Sequence, residues 1–268
     1  MTRDEAAEAV HTIMEDHKFG KSGDEIVIEE FLEGPEVSVL SFTDGNTVVP
    51  MVSSMDHKRA LDGDQGLNTG GMGTIAPNPY YTEEIAQRCM QEIFLPTMKA
   101  MNSEGRRFKG CLYFGLMLTK DGPKVIEYNC RFGDPETQVV LPLLDTDLLT
   151  VMQAVTEERL SEIEVSWKKA FAACIVIASG GYPEHYEKGY EISLPQGDHQ
   201  IYVAGAALKD GKLVTSGGRV LGVTETGNTL KEAIDKAYET AKQVKFKDMH
   251  MRSDIGQRAL KAYAGEDR

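Results

Sequence analysis

Lys124-Val125-Ile126-Glu127-Tyr128-Asn129-Cys130-Arg131-Phe132-Gly133-Asp134-Pro135-Glu136-Thr137 starts as a β-strand and ends as a polar loop. Side chains two apart on a strand point the same way. Glu127 and Asn129 therefore share one face, and Ile126 and Tyr128 share the other. A carboxylate and an amide oxygen side by side, with Arg131 two steps on, can hold a hard cation and a polyphosphate together. Glu-x-Asn on a strand also fits an ordinary half-exposed edge; the dense polar loop that follows favours the site reading. The strand is the second arm of a predicted hairpin, Gly110–Thr119 and Pro123–Phe132 across Lys120-Asp121-Gly122. A second hairpin is predicted upstream, with Glu36–Phe42 and Asn46–Ser54 joined at Asp44-Gly45. Hairpins of this kind build antiparallel sheet. The expected class is α+β, not a doubly wound parallel sheet.

Working outward, Thr2-Arg3-Asp4-Glu5 reads as a capping box opening a helix that ends near Gly20. Glu25–Leu32 reads as a strand. Residues 56–79 read as a long loop with five glycines and two prolines, too long for a compact domain unless it is functional. Within it, Asn68-Thr69-Gly70-Gly71-Met72-Gly73 could present bare N–H groups to an anion, and a plain surface loop is an equal reading. The cluster Asp56-His57-Lys58-Arg59 precedes it. A helix is predicted from Thr82, kinked at Pro96. Another is capped by Asp145 or Thr146, with Leu148, Leu149, Met152 and Val155 on its face. Charged residues crowd 158–169, which places a domain boundary there: 1–160, then a β-rich part over 166–264. That part is predicted to hold strands at 170–179, 200–208 and 219–224. A capped helix from Thr229 follows, with Leu230, Ala233, Ile234, Ala237, Tyr238 and Ala241 inward.

The chain has 268 residues, 41% of them apolar, and a net charge of −13. That charge argues against a nucleic-acid binder, which needs clustered Lys and Arg. Cys89, Cys111, Cys130 and Cys174 have no C-x-x-C spacing and read as free thiols in a reducing cytoplasm. No apolar run approaches the ~20 residues of a membrane span, and no membrane role is expected. The histidines lack metal-ligand spacing; only His57 sits in a charged segment.

Ile26-Val27-Ile28-Glu29-Glu30-Phe31-Leu32-Glu33-Gly34-Pro35-Glu36 is a candidate purine edge. The Phe31 carbonyl, the Leu32 N–H and the Glu29 carboxylate could pair with an adenine, and Glu36 with ribose hydroxyls. An acidic strand edge entering a turn is the plainer reading.

Taken together, Ile28–Glu36 resembles the adenine-binding hinge of ATP-grasp ligases. The run Val125–Glu136 resembles the metal-binding strand of the glycinamide ribonucleotide synthetase family within them. Asp56–Arg59 and Asn68–Gly73 are similar to internal signatures of that family, and Ser179-Gly180-Gly181-Tyr182-Pro183 with Gly217-Gly218-Arg219-Val220-Leu221 to its C-terminal domain. The resemblance implies the C-terminal part of an ATP-grasp domain followed by a small β-rich domain. It also implies joining of glycine to 5-phosphoribosylamine, with ATP consumed through an acyl phosphate in purine biosynthesis. Glu127 and Asn129 would ligate Mg²⁺ or Mn²⁺, and Arg131 would stabilise developing phosphate charge. Lys58, Arg59, Asn68, Thr69, Gly70, Gly71, Gly73, Asp134 and Glu136 would shape the substrate pockets. Fusion to other purine-pathway domains fits the turn Leu118–Lys124. Two departures follow from the same resemblance. The strand Cys111–Leu116 lacks the further metal carboxylate many ATP-grasp enzymes carry. The chain also begins after the expected N-terminal domain and its phosphate-gripping lysine, so the isolated chain is expected to be catalytically poor, a nucleotide-binding or interaction fragment. Another ATP-grasp ligase is the remaining alternative, disfavoured by Asp134-Pro135-Glu136.

Overall fold

A computed structural model of the chain describes residues 2–266. The chain divides into two compact units, Met1–Glu33 and Gly34–Arg268. In the first unit, helix α1 (Arg3–Val10) opens on the predicted box. The Glu5 N–H donates to Thr2 Oγ1 at 3.3 Å, and the Thr2 N–H to Glu5 Oε2 at 2.5 Å. A π-helical turn, His11–Glu15, ends this helix before Gly20, which lies in a separate 3₁₀ turn. The strand expected over Glu25–Leu32 does not form. Apolar composition alone does not make a strand: its N–H and C=O groups need a neighbouring edge. Among the described residues no strand pairs with this segment, and Val27, Ile28 and Phe31 are exposed.

The second unit opens with β1 (Glu36–Thr43) and β2 (Val48–Pro50), joined by the predicted turn. Asp44 Oδ1 accepts from the N–H groups of Asn46 and Thr47 at 2.9 and 2.7 Å. The second arm is shorter than predicted: β2 ends at Pro50, although the Met51 N–H still donates to the Leu40 carbonyl at 2.8 Å. Half of the supposed loop over 56–79 is sheet: β3 (Met55–Asp56), β4 (Arg59–Leu61), β5 (Gln65–Asn68) and β6 (Gly73–Ala76). Helix α2 (Glu83–Cys89) is capped by Thr82, runs through a π turn at Met90–Phe94 and continues as α3 (Leu95–Ser103). Pro96 is accommodated in the first turn of α3. The hairpin β7 (Gly110–Thr119) and β8 (Gly122–Asn129) forms as predicted. The first sheet has the order β2-β1-β7-β8, wholly antiparallel. Short α4 (Thr137–Val140) and α5 (Leu148–Thr156) follow. Asp147, not Asp145 or Thr146, caps α5, and its buried face is Val151, Ala154 and Val155, while Leu149 and Met152 are exposed.

Next come β9 (Phe171–Ser179), β10 (Gln200–Val203), the hairpin β11 (Ala206–Lys209) and β12 (Lys212–Thr215), β13 (Arg219–Gly227) and helix α6 (Leu230–Ala241). The second sheet runs β10-β13-β9-β6-β3. It draws strands from both sides of the boundary expected near 160–166, because β6 pairs antiparallel with β9, Gly73 opposite Ile175. Helix α6 buries Leu230, Ala233, Ile234 and Ala237 against this sheet, as its spacing predicts. Each fully buried large aliphatic side chain contributes roughly 1.5–3 kcal/mol.

Alternation along β7 separates the remaining core. Leu112, Phe114 and Leu116 meet α2 and α3, with the Phe94 and Phe114 ring centroids 4.1 Å apart. Cys111 and Tyr113 point the other way, into a core with Val139, Val140 and β9. The four cysteines are free. Thr82 offers a local test. Its hydroxyl accepts from the Ile85 N–H at 3.3 Å, and Thr82→Ala is expected to cost about 1 kcal/mol. A lowered urea midpoint at unchanged slope would report it; an unmoved midpoint would remove the cap from the energetics.

Candidate functional site

Strand β8 is held against β7 with Glu127 opposite Gly115 and Asn129 opposite Tyr113. A bulge at Ile126 resets the pleat just before Glu127. Gly115 makes room: a Cβ there would lie 2.9 Å from Glu127 Cγ. Asn129 Nδ2 donates to Glu127 Oε1 at 3.2 Å, and Arg131 Nη2 reaches Asn129 Oδ1 at 3.4 Å. Tyr128 lies on the opposite face against Phe114, at 5.6 Å between centroids.

The Glu127 and Asn129 side chains suit a hard divalent cation, with the Arg131 guanidinium beside them suited to an anionic ligand. Two neutral-to-anionic oxygens lie on alternate residues, and turning the Asn129 amide over would bring both to one point. Among the described residues no group of three or more His, Cys, Asp and Glu could hold a metal ion. Such a donor set fits Mg²⁺, which keeps several waters and takes further oxygens from phosphates.

Lys58 faces the same region. Its Nζ lies 3.6 Å from Glu36 Oε2. Burial pulls the Lys58 ammonium down, but the carboxylates of Glu36, Asp56, Glu127 and Glu136 outweigh it and hold the group above the usual lysine range. Asp56 goes the other way: burial first, then the neighbouring Glu136, push its carboxyl well above the usual range. Its Oδ1 has no hydrogen-bond partner among the described residues. Glu136 is buried and accepts from Tyr113 Oη at 3.0 Å and Ser38 Oγ at 3.5 Å. Expected as a substrate contact, Glu136 thus lies beneath the surface as an anchor. Arg59 turns away from Lys58 and donates to the Gly66 carbonyl at 2.7 Å.

The glycine-rich loop is not the open N–H cradle that its composition suggests. The Gly70 N–H donates to Tyr182 Oη at 3.1 Å, the Gly71 N–H to Thr69 Oγ1 at 3.0 Å and the Met72 N–H to the His57 carbonyl at 2.8 Å. Asn68 pairs with Arg59 across β4 and β5. The glycines serve close approach instead. At Gly71 (φ +114°) a Cβ would lie 2.5 Å from Pro135 Cδ and 2.6 Å from Asp56 Oδ1. Asp134 is also occupied, its Oδ1 by Gln138 Nε2 at 2.8 Å and its Oδ2 by Arg219 Nη2 at 3.0 Å.

His57 is a fastener. Its Nδ1 lies 3.2 Å from the Gly73 carbonyl, and its Nε2 accepts from the Gly256 N–H at 3.1 Å. Nε2 is thus the bare nitrogen and Nδ1 carries the proton. Burial, then the nearby Arg252 charge, lowers its pKa to about 4. Sequence reasoning did not single out Ser38, Tyr113, Tyr182 or Arg219 as functional. Tyr182 and Arg219 lie in glycine-flanked runs visible in the sequence; the other two carry no local signal. Of the hinge candidates, Glu29 and Phe31 lie exposed and Leu32 half-buried in the first unit, and Glu36 opens β1 in the second.

Residues 1–137 match the family described as phosphoribosylglycinamide synthetase, ATP-grasp (A) domain, and residues 172–258 match its C domain. A phosphoribosylamine–glycine ligase of Vibrio vulnificus is 48% identical over 265 residues, covering 97% of this chain and 62% of that protein. The trifunctional purine biosynthetic protein adenosine-3 of Gallus gallus is 49% identical over 263 residues, covering 96% of this chain and 26% of that one. The crystal structure of a phosphoribosylamine–glycine ligase from Thermotoga maritima superposes with a TM-score of 0.85 at 38% identity, covering 95% of this chain and 64% of that one. A biotin carboxylase from Campylobacter jejuni shares the fold at 14% identity and a TM-score of 0.59, covering 83% of this chain and 48% of that one. The chain spans 62% of the length of the Vibrio relative. With the family's ATP-grasp match over its first half and the C-domain match beyond, the chain belongs to the phosphoribosylglycinamide synthetase family.

Proposed function

We propose that this chain carries the metal and nucleotide part of an ATP-dependent ligase that joins glycine to 5-phosphoribosylamine, giving glycinamide ribonucleotide, ADP and phosphate in purine biosynthesis. The observation that carries the reading is the Glu127–Asn129 pair of oxygens with Arg131 beside it. Phosphoryl transfer to a carboxylate asks chiefly for alignment and charge neutralisation. Glu127 and Asn129 would hold Mg²⁺ or Mn²⁺, which when bound would offset phosphate charge. Arg131 would stabilise charge on the phosphoryl group and then on the acyl phosphate. Glu29, Phe31 and Leu32 would take the adenine and Glu36 the ribose hydroxyls. Lys58 would meet a phosphate or carboxylate. The loop from Asn68 to Gly73, with Arg59, Asp134 and Glu136 around it, would give the amine's pocket its shape. The names of the relatives support this chemistry, and the trifunctional chicken relative supports a setting among other purine-pathway domains; a reducing cytoplasm is the compartment its free cysteines suit.

Calorimetric titration of the 268-residue chain with ADP tests the reading. Binding is expected with Mg²⁺ and is expected to weaken strongly in EDTA. Binding of equal strength without metal, or none under either condition, overturns it. A second reading rests on the chain's 62% share of the Vibrio relative's length: this polypeptide alone binds nucleotide but ligates poorly. A coupled ADP-release assay with glycine and phosphoribosylamine is expected to show turnover far below that of a full-length relative. Equal turnover would refute that second reading.

A further inference from the structure

Ser179-Gly180-Gly181-Tyr182-Pro183 and Gly217-Gly218-Arg219 have no task in the reaction above. Ser179 ends β9 and Arg219 opens β13, so both runs sit at one end of the second sheet. Ser179 Oγ donates to the Gly217 carbonyl at 2.9 Å, which ties the two runs together. The ring of Tyr182 lies over Gly218, where a Cβ would come within 2.2 Å of it.

From this base Arg219 reaches two loops that lie far from it in sequence. Its Nη1 donates to the carbonyls of Gly70 and Asp134, both at 2.7 Å, and its Nη2 donates to Asp134 Oδ2 at 3.0 Å. Two carbonyls are both acceptors and cannot bond each other, so bringing them together requires a shared donor. A guanidinium offers several N–H groups in a fixed plane; an ammonium does not reproduce that fork. Tyr182 Oη takes the Gly70 N–H, so the Gly70 peptide is gripped on both sides. A side chain at Gly70 would meet the guanidinium at 2.9 Å.

We propose that Arg219 and Tyr182 are positioning residues that lock Gly70–Met72 and Asp134–Glu136 into one rigid unit. The consequence for catalysis rests on the ligase reading: these loops, which include Glu136, adjoin Lys58 and Asp56, so the unit fixes where the amine substrate meets the activated glycine. Asp134 then acts as a strut that holds the arginine.

Amide hydrogen exchange by mass spectrometry on the 268-residue chain tests the lock. Arg219→Lys is expected to speed exchange at least tenfold in peptides covering both 68–73 and 131–137, while 110–129 and α6 stay within twofold. Asp134→Asn, which leaves the Gly70 loop's own residues intact, is expected to loosen 68–73 as well. Tyr182→Phe is expected to loosen 68–73 first. Response of only one loop, response of neither, or faster exchange throughout the second unit overturns the proposal; the last would mark a merely structural role. Loss of Mg²⁺-dependent ADP binding in the unaltered chain would sink the ligase reading alone, because the coupling between loops is read without any ligand.

Discussion

Glu127→Gln is expected to weaken Mg²⁺-dependent ADP binding by about 10–100-fold. A hydrogen bond or contact made by a charged group contributes roughly 1.5–3 kcal/mol, and each 1.4 kcal/mol is about tenfold in affinity. The substitution keeps the shape of the side chain. It also keeps an acceptor for Asn129 Nδ2, the protein partner Glu127 Oε1 has at 3.2 Å. Folding should therefore be unaffected, and the loss should fall on the metal-dependent part of binding. Titrating Mg²⁺ against fixed ADP, for the variant and the unaltered chain, separates the two. An unchanged metal dependence would remove Glu127 from the metal shell. A drop in thermal midpoint of several degrees would mean that the carboxylate has a structural task instead.

The second large effect is acid sensitivity at His57. In the fold its pKa is about 4, against an ordinary 6.5, because burial and the Arg252 charge oppose protonation. Above pH 6.5 neither the folded nor the unfolded chain holds this proton, and the group costs nothing. As pH falls below 6.5 the unfolded chain takes the proton and the folded chain does not, so stability is lost until about pH 4. A shift of that size corresponds to about 3 kcal/mol. His57→Gln should flatten the difference between the two stability curves in this window. Asp56 acts with the opposite sign. Its raised pKa gives stability that is complete below 3.8 and is lost as pH rises. Asp254, lowered to about 2 and hydrogen-bonded to Arg252, gives stability present above 3.8 and lost as pH falls towards 2. Both are common to the two proteins and cancel in the comparison. Urea midpoints of both proteins measured from pH 7.5 to 4.5 decide the matter: parallel curves would show that His57 keeps an ordinary pKa in the fold.

Local chemistry made several elements readable. Asp44-Gly45 and Lys120-Asp121-Gly122 specify their hairpins because turn residues act over four positions. Thr82 and Thr229 cap helices by reaching three residues ahead. The Glu127–Asn129 pair was readable because a strand's alternation is local. What stayed hidden depends on partners far along the chain. Glu25–Leu32 has strand composition but no edge to join among the described residues. The glycines at 70 and 71 looked like anion ligands because nothing in their neighbourhood discloses Tyr182, Arg219 or Pro135. Glu136 looked like a substrate contact in the run Asp134-Pro135-Glu136; its burial beneath Tyr113 and Ser38 depends on β1 and β7 lying over it. The boundary placed at 160–166 followed a real change in charge, and the family's two matched segments flank it. The sheet ignores it, since β3 and β6 must find an edge and β9 offers one.

That shared sheet bears on how such proteins can be divided or recombined. β9 is buried along nearly its whole length, with β6 on one side and β13 on the other. Severing the polypeptide near residue 165 and parting the halves would lay bare one flank of that hydrophobic ribbon, a surface prone to sticking to other chains. Gene exchange among relatives should accordingly carry both matched segments together, although each is recognisable as a separate domain of the family.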